Sequence, residues 1–197
     1  MTFPYYRRLS SRQKAIYRAS DEVVEILLAN PAKAKRSAAG VRRALQMDGN
    51  PATQRKEVAR AANSLVDELC RQLAVDPVKI KVLTRRPSYA ESELHGLYTF
   101  EKGKQAQITV WMRTAAKRQV VAYRTFLRTL LHEVIHHLDY RLLSLADSFH
   151  TEGFFKRESS LARQLLGDRK AKPKTEKKPK PKTEKKPKPG QLKLPFE

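Results

Sequence analysis

Ile16, Val23, Val24, Leu27 and Leu28 supply an apolar stripe behind Ser10 and Ser11, either of which can cap a helix. The pattern predicts a first helix running to about Ala29, where Asn30-Pro31 ends it. A shorter helical segment is expected between Ala32 and Met47, before the break at Asp48-Gly49-Asn50-Pro51. Val58, Ala62, Leu65, Val66, Leu69 and Leu73 then mark a long helix over about 52–74, closed by Asp76-Pro77. Here the period shortens to two. Val78, Ile80 and Val82 alternate with Lys79 and Lys81, as in a half-buried strand. Leu94 to Phe100 reads as a second strand and Lys102-Gly103-Lys104 as its turn. Gln107 to Met112 reads as a third strand, hairpin-paired with the second. Val120 to Leu143 forms a long helix, and a last helix starts near Thr151 and fades at Gly167. Helices, then short strands, then helices predict an α+β fold with a small antiparallel sheet.

The pattern stops after Gly167. Residues 172–179 read Lys-Pro-Lys-Thr-Glu-Lys-Lys-Pro and repeat unchanged as 180–187. With prolines at that density and no apolar residue between Ala171 and Leu192, the segment cannot build a packed core. It is expected to be a disordered, extended linker with polyproline II character. The chain thus divides into a helical region (1–75), a strand-and-helix core (76–167), a Lys/Pro-rich linker (168–190) and a terminal peptide (191–197). Leucines and a phenylalanine behind so long a polar tether suit a ligand for another protein.

Composition adds a preference for polyanions. The formal net charge is +21. Residues 168–197 hold 12 basic and 4 acidic residues, so +8, which leaves +13 on residues 1–167. The body is basic in its own right, pointing to nucleic acid first and an anionic membrane surface second. Cys70 is the single cysteine, so no internal disulfide staples the fold; Leu69 and Leu73 beside it suggest a buried position. No apolar run approaches the roughly 20 residues of a membrane span. The N-terminal residues lack the apolar core of a signal peptide, so the chain is expected to be cytoplasmic.

The chemistry lies in the long helix. Residues 132–137 read His-Glu-Val-Ile-His-His, an H-E-x-x-H signature. Histidines four apart share a helix face, roughly 6 Å apart along the axis, so both imidazoles can reach one Zn²⁺. Glu133 between them is placed to take a proton from water. Leu127, Leu130, Leu131, Val134, Ile135 and Leu138 surround the motif. Two histidines and a glutamate in such a helix are costly without a partner. The pattern predicts a zinc-dependent hydrolase, most often a peptidase.

A catalytic zinc site needs three protein ligands. His137, Asp139, Asp147, His150, Glu152 and Glu158 are the candidates for the third. His137 lies about 100° round the helix from His136 and should point elsewhere. Asp139 suits an acceptor holding an imidazole in place. The metzincin spacing needs a histidine where Leu142 stands; a gluzincin-type glutamate would be Glu152 or Glu158. Neither Tyr140 nor Arg157 has a spacing argument for stabilising an oxyanion. Trp111 reads more readily as core than as cleft lining. A peptide substrate is expected along an edge strand near the active helix, with the 106–112 strand as candidate.

The H-E-x-x-H helix is followed by a connector and then by Phe149-His150-Thr151-Glu152-Gly153-Phe154-Phe155-Lys156-Arg157. A histidine followed four residues later by an aromatic residue and a basic helix resembles the SprT-like metallopeptidases, over about residues 78–167. The resemblance implies a zincin-like domain, His132, His136 and His150 as zinc ligands, and Glu133 as the catalytic glutamate. That family often has His-Gly-x-x-Phe/Trp, and Thr151 stands here where the glycine would be. The helical N-terminal third is not explained by the resemblance.

Gln191-Leu192-Lys193-Leu194-Pro195-Phe196 resembles the short bacterial sliding-clamp-binding peptide. Leu192, Leu194, Pro195 and Phe196 would fill an apolar groove and Gln191 would hydrogen-bond at its edge, with the tether raising local concentration. Some SprT-like proteases are implicated in digesting proteins crosslinked to DNA, and some carry such a peptide. Together the two resemblances imply a DNA-associated, nucleoid-located zinc peptidase acting in DNA repair. Two alternatives stay open: a catalytically weak, zinc-containing adaptor for clamp or nucleic acid, and a zinc peptidase of a regulatory protein with no DNA role. Glu133 favours an enzyme, since a structural site has no use for a base between its ligands.

Overall fold

The computed structural model describes residues 3–89, 92–101 and 103–167. The chain opens with a 3-10 turn, Pro4–Arg8, followed by α1 (Ser11–Glu22), α2 (Pro31–Leu45) and α3 (Pro51–Gln72). Strands β1 (Lys79–Arg85), β2 (Ser88–Tyr89), β3 (Ser92–Glu93), β4 (Gly96–Thr99) and β5 (Gln107–Arg113) follow. Helices α4 (Tyr123–Arg141) and α5 (Glu152–Leu166) complete an α+β fold. Among the described residues no helix is long and apolar enough to cross a membrane.

The helix starts follow local chemistry. Ser10 forms a reciprocal capping box with Gln13 at α1. Asn30 and Asn50 cap α2 and α3, each with proline in the first turn, where its missing N–H costs nothing. The end of α1 departs from expectation: the helix stops at Glu22 rather than Ala29, and Val23 is already extended. The cause lies on α5. Arg157 donates to the Ser20 and Val23 carbonyls. Ser160 and Gln164 donate to the Ile26 carbonyl, and Leu28 N donates to Gln164 Oε1. Groups that would have continued the helical ladder are taken by side chains 134 to 138 residues away in sequence. Residues 25–28 alternate instead, with Ile26 and Leu28 buried and Glu25 and Leu27 exposed.

The expected antiparallel sheet is mixed. The order is β1-β5-β4; β4 and β5 pair antiparallel as the anticipated hairpin, but β1 runs parallel to β5 from Lys79↔Gln107 to Arg85↔Arg113. A simple meander would have put β4 in the middle. The reason β5 sits there is its side chains. Ile108 through Met112 are all buried, as in a central strand covered on both faces, whereas β4 alternates. Trp111 is accordingly core. Because β5 is central, the 106–112 strand is not a free edge; β4 is the edge strand beside α4.

One hydrophobic cluster runs from Ile26 through α2, α3, the sheet and α4 to Leu165. Helices α2 and α3 are therefore packed into the same core as the motif helix, while α1 packs on α5. Cys70 is buried in it, and burial pushes its thiol up to about 11. The linker 168–190 and Gln191, Leu192, Leu194, Pro195 and Phe196 lie outside the described residues.

Candidate metal centre

Helix α4 is buried along most of its length, with Phe126, Leu127, Leu130, Leu131, Val134, Ile135 and Leu138 inside. That packing turns the His132 and His136 edge toward a cleft and leaves them half-buried. His150 arrives from the connector, just before α5. Its carbonyl accepts the Tyr5 hydroxyl at 2.9 Å. The next residue, Thr151, is buried and caps α5 by accepting Phe154 N at 2.9 Å. Thr151 has φ −87°, an extended conformation that needs no glycine. Glycine is required two residues later. A Cβ on Gly153 would meet the Ser20 carbonyl oxygen at 2.6 Å, so α5 can approach α1 only with glycine there.

The three imidazoles converge. His150 Nε2 lies 3.0 Å from His132 Nε2 and 3.1 Å from His136 Nε2. Tetrahedral Zn–N bonds of about 2.0–2.1 Å would separate ligand nitrogens by roughly 3.3 Å, so the group matches one small cation. Among the described residues these three histidines form a set whose ligand atoms all lie within 4.8 Å of one another.

Hydrogen bonds behind the rings determine which nitrogen faces inward. His132 Nδ1 lies 3.2 Å from Glu158 Oε2, a carboxylate that only accepts, so Nδ1 carries the proton and Nε2 presents a lone pair. His136 Nδ1 lies 2.8 Å from Ser148 Oγ, which donates its own proton to Asp139 Oδ2 at 2.7 Å. Ser148 must therefore accept from Nδ1, and His136 Nε2 is also a lone pair. Two lone pairs aimed at a third imidazole nitrogen are unfavourable unless a cation joins them. Burial, reinforced by His132 and His150, holds His136 down at about 3; burial likewise lowers His150. Both are neutral near pH 7, as metal ligands must be.

Asp139 is fully buried and paired with Arg157 Nη2 at 2.8 Å, itself fully buried. Burial raises the Asp139 carboxyl, while Arg157 and Ser148 act to keep it ionised. Asp139 thus supports His136 through Ser148, as the anticipated acceptor with one hydroxyl interposed. Arg157 is committed to this pair and to the α1 carbonyls, so it is not placed to stabilise an oxyanion. Removing it would leave a buried carboxylate unpaired. Arg157→Leu is expected to cost about 3–5 kcal/mol in urea unfolding. A midpoint equal to that of the unaltered chain would refute this account.

The remaining candidates have other roles. His137 is buried; its Nε2 lies 2.8 Å from the Asp76 carbonyl, and its Nδ1 lies 3.3 Å from Tyr98 Oη. It ties α4 to the α3–β1 connection and to β4. Glu152 pairs with Lys156 at 2.8 Å on the surface. Glu158 backs His132 rather than joining the ligand set. Ser148 was not among the sequence candidates; the only signal for it was the need of Asp139 for something to hold.

Glu133 is buried beside β4, and the Tyr98 backbone N–H points at its carboxylate. Burial pushes it up to about 7, with His132 and Tyr98 N–H opposing. Glu133 shares a cavity of about 370 Å³ with His132, His136, His150, Ser148, Tyr98 and Tyr140. Tyr140 stacks on Tyr98 with ring centroids 5.7 Å apart. Gly96 makes the approach of Glu133 to β4 workable, because a Cβ there would collide with the Glu133 carboxylate oxygen and lie 2.8 Å from its Cδ. Gly96→Ala is expected to displace the carboxylate, leaving metal content unchanged but slowing any reaction that uses Glu133 by about 10²-fold. Unchanged turnover in that variant would show that Glu133 is not held by this contact.

The arrangement is thus three converging imidazole Nε2 atoms, those of His132 and His136 held inward by the hydrogen bonds behind their rings, with a buried carboxylate in the same cavity. No family model, curated protein or solved structure matches the chain.

Proposed function

We propose that the protein is a zinc-dependent metallopeptidase of the SprT-like, zincin kind, acting on proteins associated with or crosslinked to DNA. The observation that carries this reading is the convergence of His132, His136 and His150 Nε2 beside the buried Glu133. The donor set fits zinc: three converging imidazoles, two with hydrogen-bonded Nδ1 and the third held through its carbonyl, and room for a further ligand. Zn²⁺, when bound there, supplies Lewis-acid polarisation of a carbonyl and makes water more acidic near neutral pH.

The chain's own residues supply the rest. Glu133 accepts the proton of the attacking water and hands it to the leaving amine. Its buried setting makes it a stronger base than an exposed glutamate, and Tyr98 N–H keeps it oriented. The edge strand β4 borders the cavity, which Leu97, 41% exposed, helps to line, and an extended peptide adds along that edge. Glu158, and Ser148 with Asp139, keep the imidazoles from turning.

The DNA setting rests on the +13 charge of residues 1–167 and the +8 of the tail, which would hold phosphates non-specifically. It also rests on the clamp-like peptide Gln191, Leu192, Leu194, Pro195 and Phe196. The testing experiment is cleavage of a DNA-bound protein, with and without DNA, by the unaltered chain and by Glu133→Gln. Cleavage only by the former, and stronger with DNA, is expected. Deleting residues 191–197 is expected to abolish binding to a bacterial sliding clamp in calorimetry; equal affinity of both forms would sink the tail reading.

A further inference from the structure

The cleft continues beyond the histidines. Arg128 and Thr129 line it beside His132 and Glu133, and the same two residues line a second cavity of about 620 Å³ between α4 and α5. Arg124 and Arg128, one turn apart on α4, and Arg163 on α5 all face this cavity. Hydroxyls of Thr125, Thr129 and Ser159 line it too, and among the described residues no carboxylate does. Gly167, at its end, is the last residue before the basic tail.

Among the described residues, two acids approach this group from its edges. Glu158 stands 3.5 Å from Arg128 Nη1 through one oxygen, while its other oxygen serves His132. Glu25 stands 3.8 Å from Arg163 Nη2, and both side chains are more than half exposed. Three guanidinium groups around one cavity repel each other unless an anion sits among them. Their planar forks match phosphate oxygens, and the hydroxyls add further donors.

We propose that this groove holds the phosphodiester backbone of a nucleic-acid strand and leads it alongside the metal centre. Arg128 and His132 are one helical turn apart, about 6 Å along α4. A protein attached to the strand is thereby delivered to the cleft, a consequence that rests on the peptidase reading; the binding itself does not.

The test measures fluorescence anisotropy of a short labelled single strand and of its duplex with the full chain, over a salt series. Arg124→Gln/Arg128→Gln/Arg163→Gln is compared with Arg36→Gln/Arg43→Gln/Arg60→Gln, which removes equal charge from the α2–α3 surface. The groove variant is expected to bind more than about tenfold more weakly, with a log–log salt slope shallower by about 2 to 3. The control is expected to change less than about twofold, apart from a general charge effect. Should the triple variant melt early or lose metal, Arg124→Gln alone decides, with about a threefold loss expected. Equal loss in both triple variants, an unchanged groove variant, or displacement of DNA by polyglutamate at equal charge would overturn the proposal. The last outcome would assign the groove to acidic protein segments. Peptide cleavage enters no readout, so failure here and failure of the peptidase reading are told apart.

Discussion

Glu133→Gln is expected to keep one zinc ion per chain and to lose peptide hydrolysis by about 10³-fold or more. Glutamine has the same size and can still accept the Tyr98 N–H through its amide oxygen, so the local packing survives. It cannot take a proton from water, and general acid–base catalysis of this kind contributes about 10²- to 10⁴-fold. Metal content is expected to be unaffected because the group that could hold the ion is His132, His136 and His150, supported by Glu158, Ser148 and the connector rather than by Glu133. Metal analysis and cleavage of a DNA-bound protein check the two halves separately. Cleavage at the unaltered rate would remove Glu133 from the mechanism; loss of zinc would show that it helps hold the ion.

His150→Ala is expected to leave the purified chain essentially without zinc, as are His132→Ala and His136→Ala. Each removes one of three nitrogens, and a two-imidazole remnant is a poor site in competition with chelators and buffer. The loss should exceed the about 10- to 100-fold weakening expected when only a supporting group is removed, as in Ser148→Ala or Glu158→Gln. A chelator titration followed by zinc analysis ranks the variants. Full metal content in His150→Ala would exclude that residue from the site. Equal losses in Ser148→Ala and His150→Ala would contradict the division between ligands and supports.

The two halves of this centre differ in how far the sequence reveals them. His132 and His136 are four residues apart, so helix geometry alone puts them on one face, and the surrounding leucines make the helix certain to be buried. His150 is different. Nothing local distinguishes it from Asp147, Glu152 or Glu158 as a third ligand; only its resemblance to a family pattern picked it out. Its Nε2 reaches the others because Thr151 caps α5, Tyr5 holds its carbonyl and Gly153 lets α5 close on α1. The sequence offers Glu158 as a ligand and gives little sign of Ser148, because which side chain meets Nδ1 rather than a metal depends on about an ångström of helix placement.

The same division runs through the fold. Capping residues, proline starts and apolar periods located α2, α3, α4 and α5 to within a few residues, since each signal acts over one or two turns. The end of α1 and the sheet order escaped it. Arg157, Ser160 and Gln164 on α5 capture the carbonyls after Ser20, and a competition between a helical ladder and side chains about 135 residues away cannot be read locally. Alternation in β1 showed which residues are buried but carried no direction; β5 became its parallel neighbour through packing on both faces.

By itself, then, the sequence determined the two-histidine, one-glutamate helix, the α+β order of elements and the change to Lys/Pro-rich composition after Gly167. Tertiary structure alone decided that His150 closes the triad, that His132 and His136 turn Nε2 inward, and that Gly96 admits Glu133 to the edge strand. The physical reason is range: helical spacing is set by bonds between residues four apart, whereas convergence of three imidazoles and the tautomer of each depend on buried hydrogen bonds between elements that meet only after the core has packed.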